Sequence, residues 1–162
     1  MRSLPLALLI GCATPGVSDT GTPAGGFPEL VLTGDVTITN SLEADALYGY
    51  TVIEGSLDIE GHALEHVDSL VALREVTGNV SARWTQSLTT LAGLSALESI
   101  GGSLWVMKNH QLVELGFGPV AIEREIYIYN NSRLCQTKVG LFLDGVTHDD
   151  GLRDIEPNDP GC

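Results

Sequence analysis

Asp58 and Glu60 stand two residues apart, so in an extended segment both carboxylates point to one face. A pair of acids on one face is the minimum equipment for acid–base cleavage of a glycosidic bond. Two acids on one strand are commonplace, however, and the adjoining positions carry threonines on one side and Ser81 and Arg83 on the other. The histidines His62, His66, His110 and His148 have no nucleophile motif beside them. His62 and His66 are four apart, but no Glu follows His62 and the segment is no long helix, so the zinc-hydrolase arrangement fails. Asp144, His148, Asp149, Asp150, Asp154, Glu156 and Asp159 are dense enough to hold Ca²⁺, yet their spacing matches no EF-hand loop and reads as a solvated acidic segment. No catalytic, cofactor-binding or metal-ligating residue is therefore assigned, and the chain is expected not to be an enzyme. More distinctive is a set of aromatic, sulfur and cationic side chains: Arg83, Trp84, Trp105, Met107, Tyr127 and Tyr129. Such groups serve recognition, because they offer broad apolar contact with polar tips.

An internal repeat positions these residues. The segments Gly34-Asp35-Val36-Thr37-Ile38, Gly55-Ser56-Leu57-Asp58-Ile59 and Gly78-Asn79-Val80-Ser81-Ala82 align with Gly102-Ser103-Leu104-Trp105-Val106 and Arg124-Glu125-Ile126-Tyr127-Ile128. From Val36 to Leu57, Val80, Leu104 and Ile126 the steps are 21, 23, 24 and 22 residues. Within each unit apolar residues alternate with period two, which is a short strand. A run spaced by three follows, Leu64, Val67, Leu70, Leu73, Val76 and again Leu88, Leu91, Leu94, Leu97, Ile100. An α-helix turns 300° in three residues, so one helix face cannot hold such a run. A bent path is expected instead, one helical or 3₁₀ turn and then a second short strand. Each unit is one coil of a solenoid whose equivalent strands stack in parallel.

This winding predicts an inward set of Val36, Ile38, Leu42, Leu57, Ile59, Leu64, Val80, Ala82, Leu88, Leu104, Val106, Leu112, Ile126, Ile128 and Leu134. Asn109 and Asn131 each follow the second strand core residue by three, and are expected to form part of an asparagine ladder along one corner. The outward columns are Thr37, Asp58, Ser81, Trp105, Tyr127 and Thr39, Glu60, Arg83, Met107, Tyr129. The aromatic set therefore collects on the outer sheet face of the third to fifth coils, with Arg83 and Trp84 adjoining. That cluster is a candidate binding surface; the same side chains would also pair across strands and simply stabilise the sheet.

The spacing Gly-x-Leu-x-Ile, then Leu-x-x-Leu-x-x-Leu-x-x-Leu-x-x-Ile-Gly-Gly-x-Leu, resembles the receptor L domain, the leucine-rich-repeat-like β-helix of receptor ectodomains. The ending Asn131-Ser132-Arg133-Leu134-Cys135 is similar to the last coil of that family, where the cysteine leads into a disulfide. The resemblance covers roughly residues 30–135 and implies a mainly β fold, a short right-handed parallel β-solenoid of about five coils. Leu112 to Pro119 departs from the pattern by losing the third leucine, so an irregular loop is expected there.

The N-terminus adds a targeting reading. Arg2 precedes an apolar run from Leu4 to Gly11 whose eight residues are too few to span a bilayer, which takes about 20. Leu9-Ile10-Gly11-Cys12 resembles a bacterial lipobox, and that resemblance implies cleavage before Cys12 and lipidation of its thiol and amino group. Residues 1–11 are thus expected as a signal peptide and 12–28, rich in Gly, Pro, Ser and Thr, as a flexible tether. Residues 29–135 would form the solenoid and 136–162 an acidic C-terminal cap. With Cys12 lipidated, Cys135 and Cys162 remain, and an even remainder in an exported protein suggests a disulfide.

With 21 Asp and Glu against eight Lys and Arg, the formal charge of −13 argues against nucleic acid as a partner. Together these features predict a lipid-anchored protein of the bacterial cell envelope, at the outer membrane, that recognises a protein or glycan ligand through its outward sheet face and needs no cofactor. The alternatives are a glycan-active β-helix enzyme using Asp58 and Glu60, and a purely structural envelope component.

Overall fold

The computed structural model describes residues 29–148, 153–155 and 158–162. The segments expected as signal peptide and tether, Cys12 among them, lie outside the described residues, as do Asp149, Asp150 and Glu156 of the acidic tail. In chain order the elements are β1 (Val31–Thr33), β2 (Val36–Asn40), α1 (Ser41–Asp45), β3 (Val52–Glu54), β4 (Leu57–Ala63), β5 (Glu75–Val76) and β6 (Val80–Arg83). They continue with β7 (Ser99–Ile100), β8 (Leu104–Met107), β9 (Ala121–Ile122), β10 (Ile126–Tyr129), α2 (Gln136–Asp144), β11 (Thr147–His148) and β12 (Arg153–Asp154).

Odd-numbered strands form one six-stranded sheet, in the order β1-β3-β5-β7-β9-β11, and even-numbered strands the other, β2-β4-β6-β8-β10-β12. Every neighbouring pair is parallel. Each coil gives one strand to each sheet, and the chain is a mainly β solenoid. The bent path expected of the leucine run is present: 3₁₀ turns at Asp68–Leu70 and Ala92–Leu94 lead into β5 and β7. All ten apolar residues of the two runs are buried, none more than 1% exposed. Three-residue spacing suits this path because a 3₁₀ turn repeats every three residues, returning each leucine to the interior.

Two expectations need correction. The first concerns Leu42, assigned to the core but 81% exposed. In the first coil, α1 replaces the 3₁₀ turn, started by Asn40, whose side chain accepts the Glu43 N–H at 3.1 Å. On a helix, residues two apart lie some 200° apart, so burying Ala44 turns Leu42 to solvent. Ala44 and Leu47 fill the interior instead. The second concerns residues 136–162, expected as a cap outside the winding. The winding continues past residue 135, where β11 joins β9 and β12 joins β10, making a sixth coil out of the segment expected as an acidic cap. Within that segment α2 sets Val139 and Phe142 into the core, with the Phe142 ring 5.5 Å from that of Phe117. The stretch from Leu112 to Pro119 carries only a single bridge, Thr90 to Glu114, and is otherwise loop, as its lost leucine implies.

Polar ladders run up the corners. Asn109 Oδ1 accepts the Thr85 N–H at 3.1 Å and its hydroxyl at 2.8 Å, while Nδ2 donates to the Ala82 carbonyl at 2.9 Å. One coil on, Asn131 repeats this, accepting from Asn109 N at 3.1 Å and donating to Val106 O at 2.9 Å. Asn158 extends the ladder into the sixth coil, donating to Ile128 O at 2.8 Å. Before the strands a second ladder links Asp35 to Ser56 N, Ser56 Oγ to Asn79 N and Asn79 Oδ1 to Ser103 N, at 2.8, 3.2 and 2.9 Å. The Ser103 hydroxyl then donates to Glu125 at 2.6 Å, which holds that carboxyl below its ordinary range. Glycine precedes this ladder because the coils touch there: a Cβ at Gly78 would lie 2.6 Å from the Ser56 hydroxyl oxygen.

Candidate functional site

Register decides which outward side chains meet. Ser81 lies opposite Trp105 and Trp105 opposite Tyr127; in the next column Glu60 faces Arg83, Arg83 faces Met107, and Met107 faces Tyr129. Parallel in-register stacking holds such neighbours close enough for side-chain contact. The Trp105 and Tyr127 rings meet edge to face, with centroids 6.1 Å apart and planes at 71°. The Tyr129 hydroxyl donates to Met107 Sδ at 3.4 Å. All four side chains are half-buried, so they pair with each other and still present a continuous outer surface.

Arg83 joins this surface to the acids. It approaches Asp58 at 3.4 Å and Glu60 at 3.6 Å, so the two carboxylates share one guanidinium. Its guanidinium carbon also lies 5.2 Å from the centroid of the Trp84 ring, a cation–π distance. Lys108 reaches the same ring, with Nζ at 5.4 Å. The six residues expected as a surface thus divide into two groups. Trp105, Met107, Tyr127 and Tyr129 form the sheet-face layer, whereas Trp84 stands at the corner, 46% exposed and flanked by Arg83 and Lys108.

That corner has its own backbone signature. Gly61, Trp84, Lys108 and Asn130 each follow the second inward residue of their strand by two, with φ of 121°, 54°, 58° and 58°. The winding requires a left-handed residue here in four successive coils. Glycine and asparagine accept it readily, but for a bulky residue it costs about 1–2 kcal/mol. Lys108, at the same corner, was not part of the expected surface. Its signal in the sequence is its alignment with Gly61 and Asn130, residue types that favour φ above zero.

Two donors under this face are unused. Ser81 is only 2% exposed despite its outward position, and neither its hydroxyl nor the buried Trp105 Nε1–H has a hydrogen-bond partner among the described residues. The two cysteines expected to pair do so: Cys135 and Cys162 are joined, with Cα atoms 5.7 Å apart. Among the described residues no group of three or more His, Cys, Asp or Glu side chains comes together.

Comparison with known proteins agrees with this architecture. No curated protein matches the sequence. A family model described as the receptor L domain matches residues 50–142, more than half of the 162-residue chain, and spans the coils that carry the aromatic layer. The chain belongs to the receptor L domain family, a class of ligand-recognition modules.

Proposed function

We propose that the chain is a non-enzymatic recognition module of a bacterial cell envelope, held at the outer membrane by lipid on Cys12. It takes a protein or glycan ligand on the outward face of β6, β8 and β10. The observation that carries this reading is the layer of Trp105, Met107, Tyr127 and Tyr129, four adaptable apolar side chains left half-open on a sheet face. Large apolar groups rimmed by polar ones are the usual anchors of recognition surfaces. Arg83 bridging Asp58 and Glu60 also favours binding over glycan cleavage. Both carboxylates sit on one strand and are held by one side chain, not set on opposite sides of a bound sugar as glycoside cleavage requires.

The experiment is a screen of the full chain against envelope extracts and a glycan panel, repeated with Trp105→Ala and Tyr127→Ala. The reading expects a retained partner and loss of at least roughly tenfold in affinity for each variant, with thermal unfolding little changed. Lost stability with unchanged binding would assign the aromatics to sheet pairing alone. For the anchor, palmitate incorporation into the wild-type chain and its absence in Cys12→Ala is expected; equal labelling of the two would remove the lipid from the proposal.

A further inference from the structure

Beside the sheet face, the corner column opens into a groove of about 610 Å³, within the size range of small-ligand sites. Trp84 forms one wall, and Lys108, His110, Asn130 and Ser132 contribute to the lining. Among the described residues the Lys108 ammonium has no carboxylate partner and is free to meet an anionic group. Nor do the side chains of His110, Asn130 and Ser132 make hydrogen bonds to the described residues. Asp159 lines the groove as well, but its Oδ1 accepts the Gly161 N–H at 2.8 Å. The groove thus offers an exposed indole, one unpaired cation, and unused amide, hydroxyl and imidazole groups. A bulky Trp84 kept at φ 54° where glycine would fit marks the indole as a group with a use.

We propose that this groove binds a uronate-bearing oligosaccharide. The apolar face of a sugar ring covers the Trp84 indole, ring hydroxyls exchange hydrogen bonds with Asn130 and Ser132, and the sugar carboxylate takes the Lys108 ammonium. Lys108 is suited to that exchange, since its flexible stem lets it leave the ring for a charge-assisted hydrogen bond. The acidity of the rest of the chain does not forbid an anionic ligand: charges beyond about 8 Å are largely screened at physiological salt. Asp58 and Glu60 are ion-paired to Arg83, and Asp159, the one carboxylate among the groove's described lining residues, has its Oδ1 held by the Gly161 N–H, so the ligand's carboxylate is placed at Lys108 and not beside Asp159. An acidic peptide would use Lys108 and leave the hydroxyl-matched groups idle. A neutral glycan would use Trp84 and leave the cation idle.

The test is calorimetric titration of the full chain with oligogalacturonate, with a neutral gluco-oligosaccharide of equal length, and with poly-glutamate. Oligogalacturonate is expected to bind, the neutral sugar at least roughly tenfold more weakly, and poly-glutamate not to compete. Trp84→Gly suits the left-handed corner without strain, and Lys108→Asn keeps a residue that tolerates it. Each should weaken oligogalacturonate binding by about tenfold or more while thermal unfolding is maintained. Tyr127→Ala, on the sheet face, should leave this binding unchanged, so failure here is distinct from failure of the sheet-face reading. The proposal is overturned by absence of oligogalacturonate binding at millimolar concentration, by equal binding of poly-glutamate or the neutral sugar, by indifference to both corner variants, or by loss on Tyr127→Ala.

Discussion

Asn131 holds Asn109 from the coil above, accepting its backbone N–H at 3.1 Å while donating to the Val106 carbonyl at 2.9 Å. Both side chains are fully buried, so each is an internal substitute for the water that would otherwise solvate the corner. Removing either leaves backbone groups of two coils unpaired in the interior. Asn109→Ala and Asn131→Ala should each destabilise the protein by about 2–4 kcal/mol, since every buried polar group left unsatisfied costs about 1–3 kcal/mol. Urea unfolding checks this; a loss below about 0.5 kcal/mol would show that water replaces the amide at little cost.

Leu42 and Leu88 occupy matching places in the repeat and opposite environments in the fold, one 81% exposed and the other 0%. Leu88→Ala should cost about 2–5 kcal/mol, the usual range for emptying a packed leucine site. Leu42→Ala should stay within about 0.5 kcal/mol of the wild type. Similar losses for the two would place Leu42 in the core after all.

Glu43 carries a pH dependence. Its carboxylate accepts the Thr39 backbone N–H at 2.6 Å and the Thr39 hydroxyl at 2.8 Å, and these bonds, the backbone one first, hold it below its ordinary 4.5. A depressed carboxyl contributes stability above its unfolded value and loses it as pH falls towards the folded value. The wild type should therefore lose stability below about pH 4.5 more steeply than Glu43→Gln. Parallel acid-denaturation curves for the two would contradict this assignment.

The disulfide closes a sequence separation of 27 residues, from the end of the fifth coil to the C-terminus. The chain-entropy relation gives about 3–4 kcal/mol for a loop of this length. Cys162→Ser should lower stability by that order, and hydrogen exchange should rise first at α2 and around Asn158, whose side chain caps the ladder. Uniform protection across the variant would mean that packing of Val139 and Phe142 alone holds the last coil.

Most of the winding was legible in the residues. A period of 21 to 24 with alternating strands forces parallel stacking, because only a coil of constant length returns each aliphatic to one interior. Five repeats of Gly-x-Φ-x-Φ and similar segments (Φ, apolar) therefore located the second sheet, and the runs spaced by three located the bends. The sixth coil is hidden in the sequence because β12 pairs through Arg153 and Asp154 and the step from Asn131 to Asn158 is 27 residues, against 22 from Asn109 to Asn131. Leu42 escaped because a one-turn helix shifts the inward position by two residues, and helix start at Asn40 is a local hydrogen-bonding choice.

The aromatic layer shows the same division. Alternation alone put Trp105, Met107, Tyr127 and Tyr129 on the outer face, since a strand sends successive side chains to opposite sides. The pairing of Arg83 with Asp58 and Glu60, and the approach of Lys108 to Trp84, required the lateral register and the left-handed corner. Sequence by itself determined which residues face outward, because that follows from a period along one chain. Tertiary structure decided which of them touch, because those contacts join residues about 20 or more positions apart through the stacking of whole coils.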